Sequence, residues 1–323
     1  MDDYAAACRQ ELARANLPLA SSVFFGGGTP SLLPAPDLAS ILEKTRRQPD
    51  AEVTVECNPE TVTPALLDCY RAAGVNRLSF GVQSMAPHVL DALGRRHDPA
   101  TVERAVAWAR RAGFDSINLD LIYGGAGETQ ADWAATVDAA LALGPEHVSA
   151  YALTVEPGTP LAQDRRRWPD DDDQADKYLW ADERLASAGY HWYEISNWAR
   201  PGRECRHNRL YWDQGDYRGI GCAAHSHCRG RRWWNVRTPE RYLDLIGTSQ
   251  SPQGGEEVLD APTRALERCQ LALRTREGVA DGCLPDSADL EGLVTRAGGR
   301  AVLTVRGRLL ANEVAARLLP AVT

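Results

Sequence analysis

The composition describes an ordinary globular chain. It has 323 residues, 44% hydrophobic and 25% charged, which argues against disorder and suffices for one large core and a smaller lobe. The net charge of −8 argues against a nucleic acid partner, no apolar run reaches the about 20 residues of a membrane span, and the first residues lack a signal peptide's basic start. We therefore expect a cytoplasmic protein whose eight cysteines are reduced thiols.

The first half of the chain alternates predicted strands with predicted helices. A helix is predicted over residues 4–15, before any strand. Five strands are predicted at residues 22–25, 52–55, 77–80, 117–122 and 148–153. Helix starts between them are predicted at the capping residues Thr63, Asp98 and Thr129. This alternation predicts a parallel sheet, either doubly wound or closed as a barrel.

Three consecutive glycines at residues 26–28 follow the first predicted strand. Glycine removes every Cβ where the backbone comes close to something, and it permits positive φ angles. At a strand-to-helix corner, the free N–H groups of such a run can bind an anion. A tight turn without a ligand is the alternative for this stretch alone.

Polar residues recur where the later strands end. Glu56 follows the second strand, Gln83 follows the third, and Asp120 ends the fourth. Each alone could be a structural residue, but the carboxyl ends of parallel strands meet at one edge of the sheet, where ligands bind. Together with the glycine amides and Arg95, they suit a ligand that carries ribose hydroxyls and an amino acid's ammonium and carboxylate.

Four motifs resemble, in order and spacing, those of radical S-adenosylmethionine proteins of the oxygen-independent coproporphyrinogen oxidase group. They are Gly-Gly-Gly-Thr-Pro at 26–30, Glu-Cys-Asn-Pro at 56–59, Gly-Val-Gln-Ser at 81–84 and Asn-Leu-Asp-Leu-Ile-Tyr-Gly at 118–124. Further on, His-Asn-Arg-Leu-Tyr-Trp at 207–212 resembles the HNxxYW signature of the HemW haem chaperone branch. The resemblance implies an α/β fold: a partial (βα)6 barrel whose first strand is missing, with a C-terminal winged-helix-like α+β lobe.

The resemblance also implies site residues, cofactors and a function. Residues implied to contact S-adenosylmethionine are Gly27, Gly28, Thr29, Glu56, Gln83, Arg95, Asp120 and the backbone around Ala152. His207 is the candidate haem ligand. The implied function is to bind haem and S-adenosylmethionine and to pass haem to an acceptor protein. The alternatives are an oxygen-independent coproporphyrinogen III oxidase, which oxidatively decarboxylates two propionates, and a non-enzymatic binding or regulatory module.

The motif by which this family holds its [4Fe–4S] cluster, CxxxCxxC, does not occur in the sequence. Three thiolates of one loop grip such a cluster, and Cys8, Cys57 and Cys69 lie too far apart in the chain to replace them. The chain as written is therefore not expected to bind the cluster. We expect that the start site was placed too far downstream, the alternative being a cofactor-binding protein that has lost its chemistry.

The region after residue 200 contains further candidate ligands. Its cysteines and histidines are Cys205, His207, Cys222, His225, His227 and Cys228. Their spacing is not a standard zinc arrangement. The run Arg-Gly-Arg-Arg-Trp-Trp at 229–234 could receive porphyrin propionates or a nucleic acid base, or be a solvated turn before buried tryptophans. The other histidines, predicted to lie at the surface or to support site residues from behind, are His88, His97, His147 and His191.

Three domains are predicted. Residues 1–160 form the partial barrel, residues 161–235 an extension with the HNxxYW region, and residues 236–323 the winged-helix-like lobe. In that lobe Gly298-Gly299 precedes a predicted wing strand, and Leu310, Val314 and Leu318 predict one last helix.

Overall fold

The computed structural model describes residues 2–319. The helices are α1 (Asp2–Ala15), α2 (Ala35–Lys44), α3 (Pro64–Ala73), α4 (Pro87–Ala92), α5 (Pro99–Arg111), α6 (Gln130–Ala142), α7 (Asp171–Ser187), α8 (Arg206–Trp212), α9 (Pro239–Gly247), α10 (Ala261–Ala272), α11 (Val305–Leu309) and α12 (Ala311–Ala315). The strands are β1 (Ala20–Phe25), β2 (Arg47–Cys57), β3 (Arg77–Gln83), β4 (Ile117–Tyr123), β5 (His147–Ala152), β6 (His191–Glu194), β7 (Asn197–Ala199), β8 (His225–Cys228), β9 (Arg231–Asn235), β10 (Gln253–Val258), β11 (Val279–Ala280), β12 (Val294–Ala297) and β13 (Arg300–Leu303).

The chain divides into two compact units. One, here called the sheet unit, comprises Phe24–Leu32 and Val53–Glu204. The other, here called the three-segment unit, comprises the residues before Phe24, Leu33–Glu52 and the residues from Cys205 onward. The boundary falls within β1 and β2. The prediction of three consecutive domains stays a prediction.

A seven-stranded sheet, in the order β1-β2-β3-β4-β5-β7-β6, organises the sheet unit. Strands β2 to β5 pair in parallel, as the alternating pattern predicted. The short strands β7 and β6 then add an antiparallel edge that the sequence did not predict. The result is a half-barrel of the α/β class, which confirms the predicted fold class.

The helices of the sheet unit begin where the sequence predicted. The Thr63 hydroxyl accepts a hydrogen bond from the Leu66 N–H at the start of α3. The side chain of Asp98 caps α5, and Thr129 forms a reciprocal capping box with Asp132 at the start of α6. Each helix buries its apolar residues, for example Trp133 of α6, which has no exposed surface. The caps and apolar faces thus hold the helices that follow the parallel strands.

Two small antiparallel sheets belong to the three-segment unit. One has the order β10-β9-β8, and the other has the order β11-β13-β12. Gly298 and Gly299, both at positive φ, make the turn between β12 and β13, so the predicted wing strand is confirmed. With α10, α11 and α12, this part of the unit has the predicted winged-helix-like α+β composition.

The predicted last helix, marked by Leu310, Val314 and Leu318, is present as α12 but is shorter than this spacing indicated. Thr304 caps α11, but Leu310 leaves helical geometry with φ −108° and ψ 28°, and α12 ends at Ala315, before Leu318. Gly307 lies inside α11, where glycine weakens a helix by about 1 kcal/mol relative to alanine. Val314 and Leu318 are buried, whereas Leu310, which separates the two short helices, is 45% exposed.

None of the helices described between residues 2 and 319 combines the length and the apolar character that crossing a bilayer requires.

Candidate functional site

The glycine turn after β1 is shaped by its neighbours in the sheet unit. A Cβ on Gly26 would lie 2.5 Å from Cε1 of Phe24 and 3.2 Å from Cδ of Glu56, so the position has no room for a side chain. Gly27 and Gly28 have φ angles of +80° and +66°, with open space where a Cβ would be. The N–H of Gly27 donates to Oε2 of Glu56 at 3.1 Å. The predicted glycine and glutamate residues therefore meet, and the turn is open on one side.

Thr29 is held by the segment that follows β2. Its hydroxyl accepts a long hydrogen bond of 3.5 Å from Nδ2 of Asn58. The backbone N–H of Asn58 in turn donates to the hydroxyl of Ser31 at 3.1 Å. These contacts tie the glycine turn to the end of β2.

Asp120 on β4 lies at the centre of a hydrogen-bond network. The Ser79 hydroxyl donates to its Oδ2 at 2.7 Å, and Nδ2 of Asn118 donates to its Oδ1 at 2.8 Å. The hydroxyl of Ser149 donates to Oδ1 of Asn118 at 3.2 Å. These residues come from β3, β4 and β5, so three adjacent strands orient one carboxylate.

A buried histidine, His147, extends this network through Asn118. Nδ1 of His147 lies 2.6 Å from Oδ1 of Asn118, and its Nε2 lies 2.8 Å from the hydroxyl of Tyr193. His147 and Asn118 are only 2% exposed. Of the two predicted places for His147, at the surface or behind site residues, its burial and its contact with Asn118 agree with the second. His97 is also buried, whereas His88 and His191 are exposed.

Burial sets the charge state of these groups. It raises the pKa of Glu56, an effect that the N–H of Gly27 opposes and the nearby charge of Asp120 increases. It also raises the pKa of Asp120 against its hydrogen bonds from Ser79, Ser149 and Asn118. The pKa of His147 falls well below its usual range, because burial and then the charge of Arg77 disfavour the imidazolium. The strand ends thus hold two carboxylates that interact electrostatically, above a neutral imidazole.

Gln83 and Ala152 lie at the ends of their strands as predicted. Gln83 is buried with a φ of +67°, a conformation that side-chain-bearing residues seldom adopt. The register pairs Gly81 of β3 with Asp120, so Gln83 lies at the same end of the sheet as the carboxylate. Ala152 pairs with Tyr123 at the end of β5 and is exposed. The strand-end positions of both residues are as predicted.

Arg95 follows α4, and its N–H donates to the Leu90 carbonyl at 2.9 Å. Its contact with S-adenosylmethionine stays a prediction.

His207 lies in the three-segment unit, in the first turn of α8. Its Nδ1 lies 2.9 Å from the hydroxyl of Ser22, and its Nε2 lies 2.9 Å from the hydroxyl of Tyr211. The Glu52 carboxylate accepts from the N–H groups of Arg206 and His207, each at 3.1 Å. An imidazole with one nitrogen fixed and the other next to a partly exposed tyrosine fits a haem ligand.

The other candidates of the three-segment unit have structural partners. Nδ1 of His227 lies 2.8 Å from the Gly215 carbonyl, and its Nε2 accepts from the Gly230 N–H at 3.0 Å. Arg231 and Arg232 form ion pairs with glutamates, so their guanidinium groups are already compensated. Their contacts favour a structural role for residues 227–232.

Trp233 of β9 is buried, between the guanidinium groups of Arg218 and Arg231 at 5.2 and 4.7 Å from its ring centroid. Trp234 stacks on His225, with 5.8 Å between centroids. Of the alternatives for residues 229–234, a turn followed by a buried tryptophan agrees with the position of Trp233.

The residues present do not fit a [4Fe–4S] cluster. The cysteines of the sheet unit are Cys57, whose thiol is buried and has a raised pKa, and Cys69 on α3. Across the described residues, no three histidine, cysteine, aspartate or glutamate side chains are grouped to hold a metal ion. A cluster needs thiolates from one loop, and the described residues do not supply them.

Several functional residues were missed by sequence reasoning. Ser79, Asn118 and Ser149 alternate with buried apolar residues along their strands, a signal that polar side chains share one face of the sheet. Ser22 and Glu52 carried no comparable signal, because their partner His207 lies 185 and 155 residues away.

Comparisons with known proteins agree with this architecture. A model of the radical SAM superfamily matches residues 6–140. The structure of the coproporphyrinogen III oxidase HemN from Escherichia coli superposes with a TM-score of 0.85 at 23% identity, covering 98% of this chain and 82% of that one. At this identity the superposition shows the fold. The half-barrel and its strand-end residues thus define a protein of the radical SAM class.

Curated relatives narrow the class to one family. The haem chaperone HemW of Mycobacterium tuberculosis H37Rv is 45% identical, over 96% of this chain and 84% of its own length. HemW of Bacillus subtilis is 33% identical over 97% and 90%, and HemW of Escherichia coli is 41% identical over 83% and 78%. The chain belongs to the HemW family of haem chaperones, which confirms the predicted branch.

Proposed function

We propose that this protein binds haem and transfers it to an acceptor protein. The observation that carries the proposal is the 45% identity, over almost the whole chain, with proteins named haem chaperone. The HNxxYW sequence lies on α8, and His207 presents its imidazole near a partly exposed tyrosine. Haem is the cargo, and His207 is the residue proposed to ligate its iron.

A second part of the proposal is that the sheet unit binds S-adenosylmethionine. The open glycine turn, with Thr29, would receive its carboxylate, and Glu56 and Asp120 would receive its ammonium and ribose hydroxyls. Gln83, Arg95 and the backbone at Ala152 complete the proposed set. The cofactor, when bound together with a cluster, supplies radical chemistry in this superfamily. The residues of this chain bind and orient it.

The domain organisation and location complete the proposal. We propose that residues 1–160 serve cofactor binding, residues 161–235 carry the haem ligand, and residues 236–323 dock the acceptor. We also propose that the protein works in the cytoplasm.

Two titrations test the function. Purified protein is mixed with haem and followed at the Soret band, then offered apomyoglobin as a generic acceptor. A separate sample, with S-adenosylmethionine and reductant, receives coproporphyrinogen III. Haem binding with transfer and without decarboxylation is the expected result. Conversion of coproporphyrinogen would replace the chaperone function with the oxidase function, and absence of both would favour a binding module of another kind.

A further inference from the structure

Both ring nitrogens of His207 are hydrogen-bonded in the three-segment unit. Nδ1 contacts the Ser22 hydroxyl of β1 at 2.9 Å, and Nε2 contacts the Tyr211 hydroxyl at 2.9 Å. A neutral imidazole carries a proton on one nitrogen and a lone pair on the other. One of the two hydroxyls must therefore donate to the ring, and the other must accept from it.

The chemistry of the two hydroxyls decides between these arrangements. A phenol such as Tyr211 is more acidic than the alcohol of Ser22, and its oxygen is the weaker acceptor, because the ring delocalises its lone pair. The better pairing has Tyr211 donating to Nε2 and Nδ1–H donating to Ser22. In this tautomer the lone pair of His207 is on Nε2.

The surroundings of the two ring nitrogens also favour Nε2 as the atom that binds iron, because its partner is the more exposed of the two. On the Nδ1 side, β1 carries Ser22, and the Glu52 carboxylate anchors the first turn of α8 through the N–H of His207 at 3.1 Å. On the Nε2 side, Tyr211 is 41% exposed and stands one helical turn further along α8. Its ring meets the edge of the Tyr217 ring at 4.7 Å between centroids. Tyr211 can therefore leave Nε2 by a side-chain rotation, whereas Ser22 is fixed on a strand.

We propose that Ser22 is a positioning residue that sets the haem-binding tautomer of His207. In the haem-free protein the Tyr211 hydroxyl is hydrogen-bonded to Nε2, the atom that binds the iron when haem is present. On binding, the hydrogen bond from Tyr211 to Nε2 breaks and an iron–nitrogen bond forms with the same lone pair. The ring keeps its Nδ1 proton, and no electron is transferred. The Tyr211 side chain rotates, so that its hydroxyl hydrogen-bonds to solvent water instead. A ligating histidine that donates its other N–H to a fixed acceptor is the usual arrangement at metal sites. The inference rests on the proposed function, because it takes His207 as the haem ligand.

The tautomer can be observed without haem. Long-range 1H–15N spectra of the protein labelled with 15N-histidine identify which ring nitrogen carries the proton, and a spectrum of His207→Ala assigns the signal. The expected result is a proton on Nδ1 in the wild type and a mixture of tautomers in Ser22→Ala. A proton on Nε2 in the wild type would overturn the inference.

Haem titrations of matched variants give the second readout. Ser22→Ala should weaken haem binding about ten-fold, while Ser22→Thr, which keeps a hydroxyl, and Ser21→Ala, an exposed neighbour on β1, should bind as the wild type does. Tyr211→Phe should bind haem about five-fold more tightly, because no hydrogen bond has to be broken. Weaker binding by Tyr211→Phe, or unchanged binding by Ser22→Ala, would overturn the inference.

The failure of this inference differs from the failure of the proposed function. If the wild type binds no haem, the proposed function falls. If His207→Ala binds haem like the wild type, His207 is not the ligand and this inference falls, while haem binding by the protein stands. If His207→Ala loses haem while Ser22→Ala and Tyr211→Phe do not show their opposite effects, the haem site stands and the roles given to Ser22 and Tyr211 fall. Thermal unfolding of each variant identifies any that are misfolded. If Ser22→Ala is misfolded, the tautomer spectrum of the wild type remains the readout, because a proton on Nε2 there overturns the inference without any change at Ser22.

Discussion

The two candidate sites obtain their geometry in different ways. In the sheet unit, Asp120 is oriented by neighbours on adjacent strands, and the buried His147 supports that network. In the three-segment unit, His207 sits on a helix of seven residues and depends on Ser22 and Glu52, which come from distant parts of the sequence. A sheet fixes a site through its hydrogen-bonded ladder, whereas a short helix needs side-chain contacts to keep its place. The strand-end site should therefore be rigid, and the His207 site adjustable.

The largest expected effect is the loss of unfolding free energy on removal of His147, the buried support of the strand-end site. His147→Ala removes the ring contacts with Oδ1 of Asn118 and with the Tyr193 hydroxyl, and it opens a cavity. We expect it to lower the free energy of unfolding by about 3 kcal/mol. His191→Ala, at an exposed histidine of β6, is the control and should change it by less than about 0.5 kcal/mol. Urea unfolding measures both, and equal effects would show that the network does not support the site.

A smaller loss is expected at the His207 site. Glu52→Ala removes the carboxylate that accepts from the N–H groups of Arg206 and His207, so the first turn of α8 should fray. The expected cost is about 1–2 kcal/mol, as for the loss of a helix cap. Hydrogen exchange of the α8 amides measures it, with Glu43→Gln on the exposed face of α2 as the matched control. Unchanged protection of α8 would show that the helix keeps its place without Glu52.

These two sites also differ in how well the sequence predicted them. Strands β2 to β5 and the strand-end positions of Glu56 and Gln83 were predicted, because strand patterns and turn residues are local signals. The prediction that Asp120 ends its strand was wrong, because β4 continues to Tyr123. The only sequence signal for the polar network around Asp120 is the alternation of polar and apolar residues along the strands. The contacts of Ser22 and Glu52 with α8 could not be predicted, because nothing local in either segment specifies a partner more than 150 residues away. The motif identified His207 itself, but its tautomer and partners required the structure.

Loss of one charge at the strand ends should weaken cofactor binding moderately. Glu56→Gln keeps an oxygen to accept from the Gly27 N–H but removes the negative charge proposed to receive the ammonium group. We expect about ten-fold weaker S-adenosylmethionine binding by calorimetry, with haem binding unchanged. Glu60→Gln, at an exposed glutamate after β2, should bind the cofactor normally. Equal affinities for Glu56→Gln and wild type would remove Glu56 from the proposed site.

The last expected effect concerns the dependence of stability on pH. His147 has a depressed pKa in the folded protein, so below about pH 6.5 the unfolded chain binds a proton that the native protein does not. Above pH 6.5 the ionisation of His147 therefore does not change the free energy of unfolding. Below that value it lowers the free energy of unfolding by about 1.4 kcal/mol for each unit by which the pH falls. The difference in unfolding free energy between wild type and His147→Gln isolates this slope from the carboxylates. A difference that does not vary between pH 7 and pH 5 would show that His147 is not neutral in the native protein.

Haem is expected to bind through His207 independently of the proposed cofactor residues of the sheet unit. The most direct measurement is a pair of titrations on wild type, His207→Ala and His225→Ala, with haem followed at the Soret band and S-adenosylmethionine followed by calorimetry. The account predicts that His207→Ala loses at least about ten-fold in haem affinity, that its cofactor affinity stays unchanged, and that His225→Ala matches the wild type in both. A haem titration of His207→Ala that overlays the wild-type curve would contradict it.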